Sequence, residues 1–117
     1  MDFSPLGLPT AALASVVPAV RVVVPSGQLV PACRLAREQG AQLVAMWASD
    51  DRDRGAGTTL RVALQDPAGL AVLEVTIPDL PGASYGDVSR VFPAAARMQR
   101  SAFDLGGVAS EADDRRP

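Results

Sequence analysis

The stretch Val91–Gly107 decides the fold: Val-Phe-Pro-Ala-Ala-Ala-Arg-Met-Gln-Arg-Ser-Ala-Phe-Asp-Leu-Gly-Gly. Pro93 suits the first turn of a helix, because the N–H that proline lacks has no helical partner at that position in any case. No β-branched residue interrupts the run from Ala94 to Leu105, and the glycine pair that follows favours a left-handed helix end. The stretch therefore predicts an amphipathic helix.

Helical spacing divides this predicted helix into two faces. The apolar face consists of Ala95, Met98, Ala102 and Leu105, and the polar face consists of Arg97, Arg100, Ser101 and Asp104. Because most of the apolar side chains are small, another element can approach the helix closely. We expect that element to be the chain's own sheet or a partner.

The same stretch resembles the signature of the 30 kDa subunit family of NADH-quinone oxidoreductase, respiratory complex I. This domain recurs in membrane-bound nickel–iron hydrogenases and formate hydrogenlyases. The family pattern is roughly Phe-Pro-x-Ala-x-x-x-Glu-Arg-Glu-x-x-Asp-Leu-x-Gly, followed by an acidic, arginine-bearing tail that ends in Arg-Pro. The chain matches it at Phe92, Pro93, Ala95, Arg100, Asp104, Leu105 and Gly107, and in the tail at Asp113, Asp114, Arg115, Arg116 and Pro117.

The chain departs from the family pattern in three places. Gln99 and Ser101 replace the two glutamates, and Arg97 or Met98 stands where the family has an aromatic residue. The His-Pro-Asp of many members is absent, because the chain has no histidine. These losses argue against a role for the helix that depends on its negative charge, and they favour the hydrogenase branch of the family.

The resemblance implies a cofactor-free accessory subunit of a membrane-associated NADH-quinone oxidoreductase. Its partners would be the iron–sulfur and quinone-site subunits, it would not be catalytic alone, and it would lie in the cytoplasm, peripheral to the membrane. The suspected interface residues are Phe92, Arg97, Arg100, Phe103, Asp104, Gly107, Asp113 and Arg115. Two alternatives are the equivalent subunit of a hydrogenase or formate hydrogenlyase and a stand-alone protein-binding α+β module. A stand-alone enzyme acting through carboxylates is a third.

Composition limits the chemistry of the chain by itself. The 117 residues suit one domain, and 48% of them are hydrophobic, enough for a packed core. The net charge is −2 and the eleven basic residues are scattered arginines, so no nucleic-acid footprint is visible. One cysteine and no histidine exclude an intrachain disulfide, a thiolate-ligated iron–sulfur cluster and an ordinary zinc site. We therefore expect no cofactor and no metal in this chain.

The remaining patterns predict a single α+β domain over residues 1–117, in which helices cover a mainly antiparallel sheet. We expect residues 1–12 to be flexible and residues 108–117 to form an extended tail, which is either a frayed end or, as the resemblance implies, an arm across a partner. Direct membrane insertion is not expected, because the apolar stretch Ala11–Val24 is short and holds Pro18 and Arg21. Self-association of the isolated chain through an uncovered face is left open.

The predicted elements follow in chain order. They are a helical turn at Leu13–Val17, a strand at Val20–Val24, a helix at Leu29–Gln39, a strand at Gln42–Trp47, and a hairpin of one strand around Leu60–Leu64 and a second at Leu70–Ile77. Both faces of Gln42–Trp47 are largely apolar, so we expect this strand in the interior of the sheet. Asp66-Pro67-Ala68-Gly69 supplies the turn of the hairpin.

Other candidate sites are weak. Asp51-x-Asp53-x-Gly55 resembles a calcium loop, but the glutamate such a loop needs would fall at Val62, inside a strand. The serines lack a histidine or lysine base, and the carboxylates of residues 50–53 and 113–114 lie in polar segments where ordinary pKa values are expected. The glycines form no phosphate-binding motif. Cys33 is expected to be a small buried side chain.

Overall fold

A five-stranded sheet forms the framework of the computed structural model, which describes residues 1–14, 18–50, 57–80, 82–106 and 109–111. Its strands are β1 (Ala11–Leu13), β2 (Ala19–Val23), β3 (Gln42–Asp50), β4 (Thr58–Asp66) and β5 (Gly69–Ile77). They lie in the order β1-β2-β5-β4-β3, and every neighbouring pair is antiparallel except β2 and β5. The predicted α+β class with a mainly antiparallel sheet is confirmed.

Two helices and a second, small sheet complete the described part of the chain. The helices are α1 (Leu29–Glu38) and α2 (Ala95–Gly106), and the short strands β6 (Ser84–Tyr85) and β7 (Ala109–Ser110) pair in parallel. Single 3-10 turns lie at Ser4–Leu6, Ser26–Gln28 and Val88–Arg90. Both predicted helices are therefore present, within one or two residues of their expected starts.

The predicted hairpin is confirmed as β4 and β5, each nine residues long. The Asp66 carboxylate Oδ1 accepts hydrogen bonds from the backbone N–H groups of Ala68 (2.9 Å) and Gly69 (3.1 Å). This bracing fixes the pairing of Asp66 with Gly69, and because strands keep register, Arg61 then lies opposite Glu74.

The hydrophobic core lies on one face of the sheet, which we call the inner face. Alternate residues of the hairpin reach it and are almost fully buried: Leu60, Val62, Leu64, Leu73, Val75 and Ile77. Helix α1 covers them with Leu29, Ala32, Cys33 and Ala36. Burial raises the pKa of the Cys33 thiol to about 12, so this side chain is an inert apolar group, as expected.

The expected interior position of Gln42–Trp47 is wrong, because β3 is an edge strand of the sheet. Its register shifts between Leu43 and Ala45, which is a β-bulge, and beyond it Met46 points to the core while Trp47 points away. Trp47 is 43% exposed. A strand with apolar residues on both faces therefore lies here at the edge of the sheet, with a neighbouring strand on one side.

The N-terminal segment makes contacts that the sequence did not indicate. Phe3 and Leu8 are buried in the core, and Asp2 and Gln39 exchange two hydrogen bonds of 2.7 and 2.8 Å. Leu13 ends strand β1 instead of starting a helical turn, and residues 15–17 lie outside the described residues. The flexibility of residues 1–12 remains a prediction.

Candidate protein-interaction site

Helix α2 presents one buried and one exposed face. Ala95, Gln99 and Ala102 are buried, and Met98 and Phe103 are half-buried. Arg97, Arg100 and Ser101 are exposed, as the polar face predicts. The sequence analysis missed Gln99: its spacing from Ala95 and Ala102 places it on the apolar face of the helix, but its polar side chain gave no reason to expect burial.

The segment that leads into α2 is fixed to α1 and to the core. The Arg37 guanidinium donates a hydrogen bond from Nη1 to the backbone carbonyl of Val91, at 2.8 Å. Phe92 is only 7% exposed and belongs to the hydrophobic core, where Val88 and Ala95 lie as well. The aromatic residue of the family signature therefore anchors the start of the helix to the domain.

A buried amide joins α2 to the turn that precedes it. Gln99, which is 1% exposed, accepts a hydrogen bond from the backbone N–H of Val88 at its Oε1 (2.8 Å). Its Nε2 donates to Asp87 Oδ1 at 2.9 Å. The same carboxylate oxygen accepts from the backbone N–H and the hydroxyl of Ser89, at 3.0 and 2.5 Å. Both ends of the Gln99 amide are thus used.

The electrostatics of Asp87 follow from these partners. Partial burial opposes ionisation of the carboxyl, but the hydrogen bonds from the side chains of Ser89 and Gln99 and from the Ser89 backbone outweigh it. The pKa of Asp87 therefore lies below its ordinary value. A carboxylate at position 99 would face this negative charge, whereas an amide can donate to it. The glutamine that replaces the first glutamate of the family pattern is accordingly matched to Asp87.

A groove of about 310 Å³ lies where α1 ends, β3 begins and the Val91–Ala94 segment passes. Its lining includes Arg37, Gln42, Leu43, Val91, Phe92 and Pro93. One guanidinium and one amide border an otherwise apolar surface, so the groove is suited to receive an apolar side chain of a partner, beside the start of the signature helix. The described lining residues include no acid–base pair.

The structure distributes the suspected interface residues unevenly. Arg97 and Arg100 lie together on the exposed face of α2, while Phe103 is half-buried and Phe92 is a core residue. Asp104 lies in α2, but its side chain is outside the described part, as are Gly107, Asp113 and Arg115. An interface role for each of these residues stays a prediction.

The sequence analysis missed a charged cluster on the sheet face opposite the core, which we call the outer face. Arg21 Nε and Arg61 Nε donate to the two carboxylate oxygens of Glu74, the Arg61 bond being 3.0 Å long. Arg61 Nη1 also donates to the Ser49 hydroxyl, at 2.9 Å. The turn at Asp66 already implies the Arg61–Glu74 pair. Arg21 joins it only through the parallel pairing of β2 with β5, for which the sequence holds no local signal.

The described residues form neither a metal-ligand cluster nor a membrane-spanning helix. Among the described residues, no group of three or more histidine, cysteine, aspartate or glutamate side chains is placed to hold a metal ion. The calcium-like residues Asp51, Asp53 and Gly55 lie outside those residues. Neither α1 nor α2 is long and apolar enough to cross a membrane, and the rest of the described chain forms no such helix.

Comparison with known proteins finds solved structures that share this fold. No protein-family model and no curated protein matches the chain. Among solved structures, the chain is similar to a trypsin-resistant fragment of Nqo5, with a TM-score of 0.73, 15% sequence identity, and 93% of this chain and 89% of that one covered. It is also similar to a chain of the membrane-bound sulfane sulfur reductase, an archaeal respiratory membrane complex. There the TM-score is 0.75 and the identity 21%, and 88% of this chain spans 62% of that one. The chain shares the fold of both.

Proposed function

We propose that this chain is a cofactor-free accessory subunit of a membrane-associated NADH-quinone oxidoreductase. It would dock to the iron–sulfur subunits of the electron-transfer arm, on the cytoplasmic side of the membrane and peripheral to it. The chain would contribute shape and binding surface, while its partners carry the electrons and the quinone site.

One observation carries the proposal: the fold of Nqo5 extends over 93% of this chain, and the family signature falls on a defined element of that fold. The signature residues Phe92 and Ala95 fix α2 to the core, while Arg100 stays exposed. Arg100 is therefore accessible to a partner.

Two titratable groups of the described chain are unsuited to acid–base catalysis at neutral pH. The thiol of Cys33 is buried and its pKa is raised, and the Asp87 carboxyl has a lowered pKa, so it holds no proton to give at neutral pH. A general acid or base needs a pKa near the working pH. Neither group has one.

A second candidate is the equivalent subunit of a hydrogenase-type respiratory complex. Two features favour it: the similarity to a chain of the sulfane sulfur reductase complex, at 21% identity, and the loss of the two signature glutamates. The fold does not separate the two candidates, because the TM-scores of 0.73 and 0.75 are nearly equal.

Purification of the tagged chain from detergent-solubilised membranes of the source organism tests the proposal. We expect iron–sulfur subunits to co-purify and the eluate to reduce a quinone with NADH. A nickel-bearing large subunit together with hydrogenase activity would support the second candidate instead. Recovery of the chain alone in the soluble fraction would contradict both and leave the stand-alone binding module.

The suspected helix surface is tested in the same preparation with charge reversals. Arg97→Glu and Arg100→Glu should lower the yield of co-purified subunits, because both side chains are exposed on α2. Arg34→Glu is the matched control, since Arg34 is an exposed arginine on α1. Equal yields from all three variants would show that this face of α2 is not part of the interface, and the proposed function would still stand.

A further inference from the structure

The outer face of the sheet carries more exposed apolar side chains than is usual for a face in contact with water. One row of side chains crosses four strands on this face: Trp47 on β3, Arg61 on β4, Glu74 on β5 and Val23 on β2. With neighbouring strands about 4.8 Å apart, this row is roughly 14 Å long. It places a charged pair between two apolar ends.

Among the described side chains, the charged centre of the row is net positive. Glu74 is 9% exposed and lies between Arg21 and Arg61, so one carboxylate faces two guanidinium groups. Arg61 has Ser49 as a further partner, but the terminal nitrogens of Arg21 have no hydrogen-bond partner among the described residues. The Arg21 side chain is 50% exposed. A second carboxylate would balance the cluster and use these donors.

The surroundings of the cluster are apolar. Val23 is 55% exposed and Leu13 is 38% exposed, and with Trp47 they make up three of the five large hydrophobic side chains that are exposed in the described chain. Between them lie small or half-buried side chains: Ala11, Ala19, Ala45, Ala63, Leu70 and Val72. Among the described elements, the helices pack on the inner face, where the core residues of α1 and α2 lie. The described part of the outer face is thus largely apolar around the net positive centre, with polar side chains at Thr59, Gln65 and Thr76.

We propose that the outer face is a docking surface for a partner protein that presents an aspartate or glutamate, flanked by apolar side chains, to Arg21 and Arg61. The incoming carboxylate would accept hydrogen bonds from the terminal nitrogens of Arg21, while Val23 and Trp47 pack against the flanking apolar groups. A desolvated rim of apolar contacts around a charged pair strengthens that pair. The proposal depends on the proposed function only in assigning the chain to an assembly.

Charge complementarity favours such a partner over the two other kinds of occupant. A second copy of this chain would bring an identical net positive cluster, so a twofold contact centred on it sets like charge against like charge. An anionic membrane surface attracts clusters of about four to eight basic residues. This face offers two arginines, and Glu74 already neutralises one of them.

Site-specific photo-cross-linking in the intact assembly tests the proposal. A benzophenone amino acid replaces Val23 or Trp47 in the tagged chain, and Leu80 serves as control, because it is 65% exposed and lies beyond the end of β5. We expect both outer-face positions to cross-link to one subunit, on a peptide that contains an acidic residue. Leu80 should give no cross-link to that peptide.

Charge reversal measures the contact. Arg21→Glu should weaken retention of the chain in the assembly by about thirtyfold or more, because it replaces an attractive pair with a repulsive one. Arg34→Glu, the same change on exposed α1, should leave retention unchanged. Val23→Ser, which alters no charge and no buried residue, should weaken retention by about fivefold. Reversal of the acidic residue on the cross-linked peptide to arginine should restore the binding of the Arg21→Glu chain.

Four results would overturn the proposal. They are equal retention of Arg21→Glu and Arg34→Glu, absence of cross-links from Val23 and Trp47 in an intact assembly, cross-links to a second copy of this chain, and binding of the pure chain to vesicles that contain phosphatidylserine. Failure of the proposed function looks different, since no redox subunit would then co-purify with the unmodified chain. Circular dichroism of each variant verifies that it is folded.

Discussion

Gln99→Glu is the substitution for which the structure gives the sharpest expectation. It introduces the residue type that the resembling family pattern has at this position and changes one NH₂ group to an oxygen, so the shape of the side chain is almost unchanged. Gln99 is 1% exposed, however, and the changed atom lies 2.9 Å from the Asp87 carboxylate oxygen. Two negative charges would then meet where an amide now donates a hydrogen bond.

The loss in unfolding free energy follows from the less costly of two outcomes: both carboxylates stay ionised, or the introduced one takes up a proton. If both carboxylates stayed ionised, their repulsion would reach about 6 kcal/mol at an effective dielectric constant of about 20. If the introduced carboxyl took up a proton instead, holding that proton at pH 7 on a group with an ordinary pKa of about 4.3 would cost about 3.7 kcal/mol, at about 1.36 kcal/mol per unit. Because uptake of a proton is cheaper and regains an O–H···O⁻ bond, we expect a loss of about 3–4 kcal/mol at pH 7.

The pH dependence is the signature of this mechanism. The cost falls by about 1.4 kcal/mol for each pH unit below 7 and is about 1 kcal/mol at pH 5, because the proton is then nearly free to bind. Urea unfolding at pH 7, 6 and 5 measures the trend. Gln99→Met is the control, since it removes both hydrogen bonds of the amide without adding an ionisable group, so its deficit should stay constant over this range. A Gln99→Glu variant that is as stable as the parent at pH 7, or whose deficit does not change with pH, would refute the reasoning.

Three further predictions use the same unfolding assay. Asp87→Asn should lower the free energy of unfolding by about 1–2 kcal/mol above pH 5. Because the folded pKa of Asp87 lies below its unfolded value of about 3.9, this deficit should shrink as the pH falls through the folded pKa. A deficit that grows on acidification would contradict the prediction. Gly57→Ala should lower the free energy of unfolding by at least about 2 kcal/mol, since φ is +73° and a Cβ would lie 2.2 Å from a backbone carbonyl of β5. Gly40→Ala, at φ +89° in open space, should cost only about 1 kcal/mol. Equal losses for the two variants would show that the steric clash at Gly57 has no effect. Leu60→Ala should cost about 2–5 kcal/mol, because Leu60 is fully buried, and Trp47→Ala should cost less than about 1 kcal/mol, because Trp47 is 43% exposed. The reverse order would support the expectation that β3 lies in the interior of the sheet.

The parts of the fold that local chemistry determines were predictable. The Asp-Pro-x-Gly turn brings two alternating segments together, and the hairpin β4–β5 formed with the expected partners facing inward. Pro93 and the small residues after it gave α2. In each case the residues that decide the structure lie within a few positions of one another, so the sequence displays the cause directly.

The pairings that join distant segments were not predictable. Strand β2 lies parallel to β5, about fifty residues away, and this pairing alone brings Arg21 to Glu74. Burial of Gln99 depends on the turn at Asp87, which faces it only after the helix has packed. The buried amide of Gln99 and the charged cluster depend on such contacts, whereas two of the signature residues, Phe92 and Ala95, fix α2 to the core and Arg100 is exposed.

The error over β3 and the unusual outer face have one physical origin. A strand with apolar residues on both faces is typical of a position that is covered on both sides. In the described chain only the inner face of β3 has such cover, at Met46, while Trp47 stays 43% exposed. The same holds for Val23 on β2, which stands in the same cross-strand row. We infer that the pattern reflects cover supplied by a partner, so that the sequence records the environment of the strand in an assembly rather than in the isolated chain. Cross-links from both positions to one subunit would establish this cause, and a fully hydrated outer face in the intact assembly would exclude it.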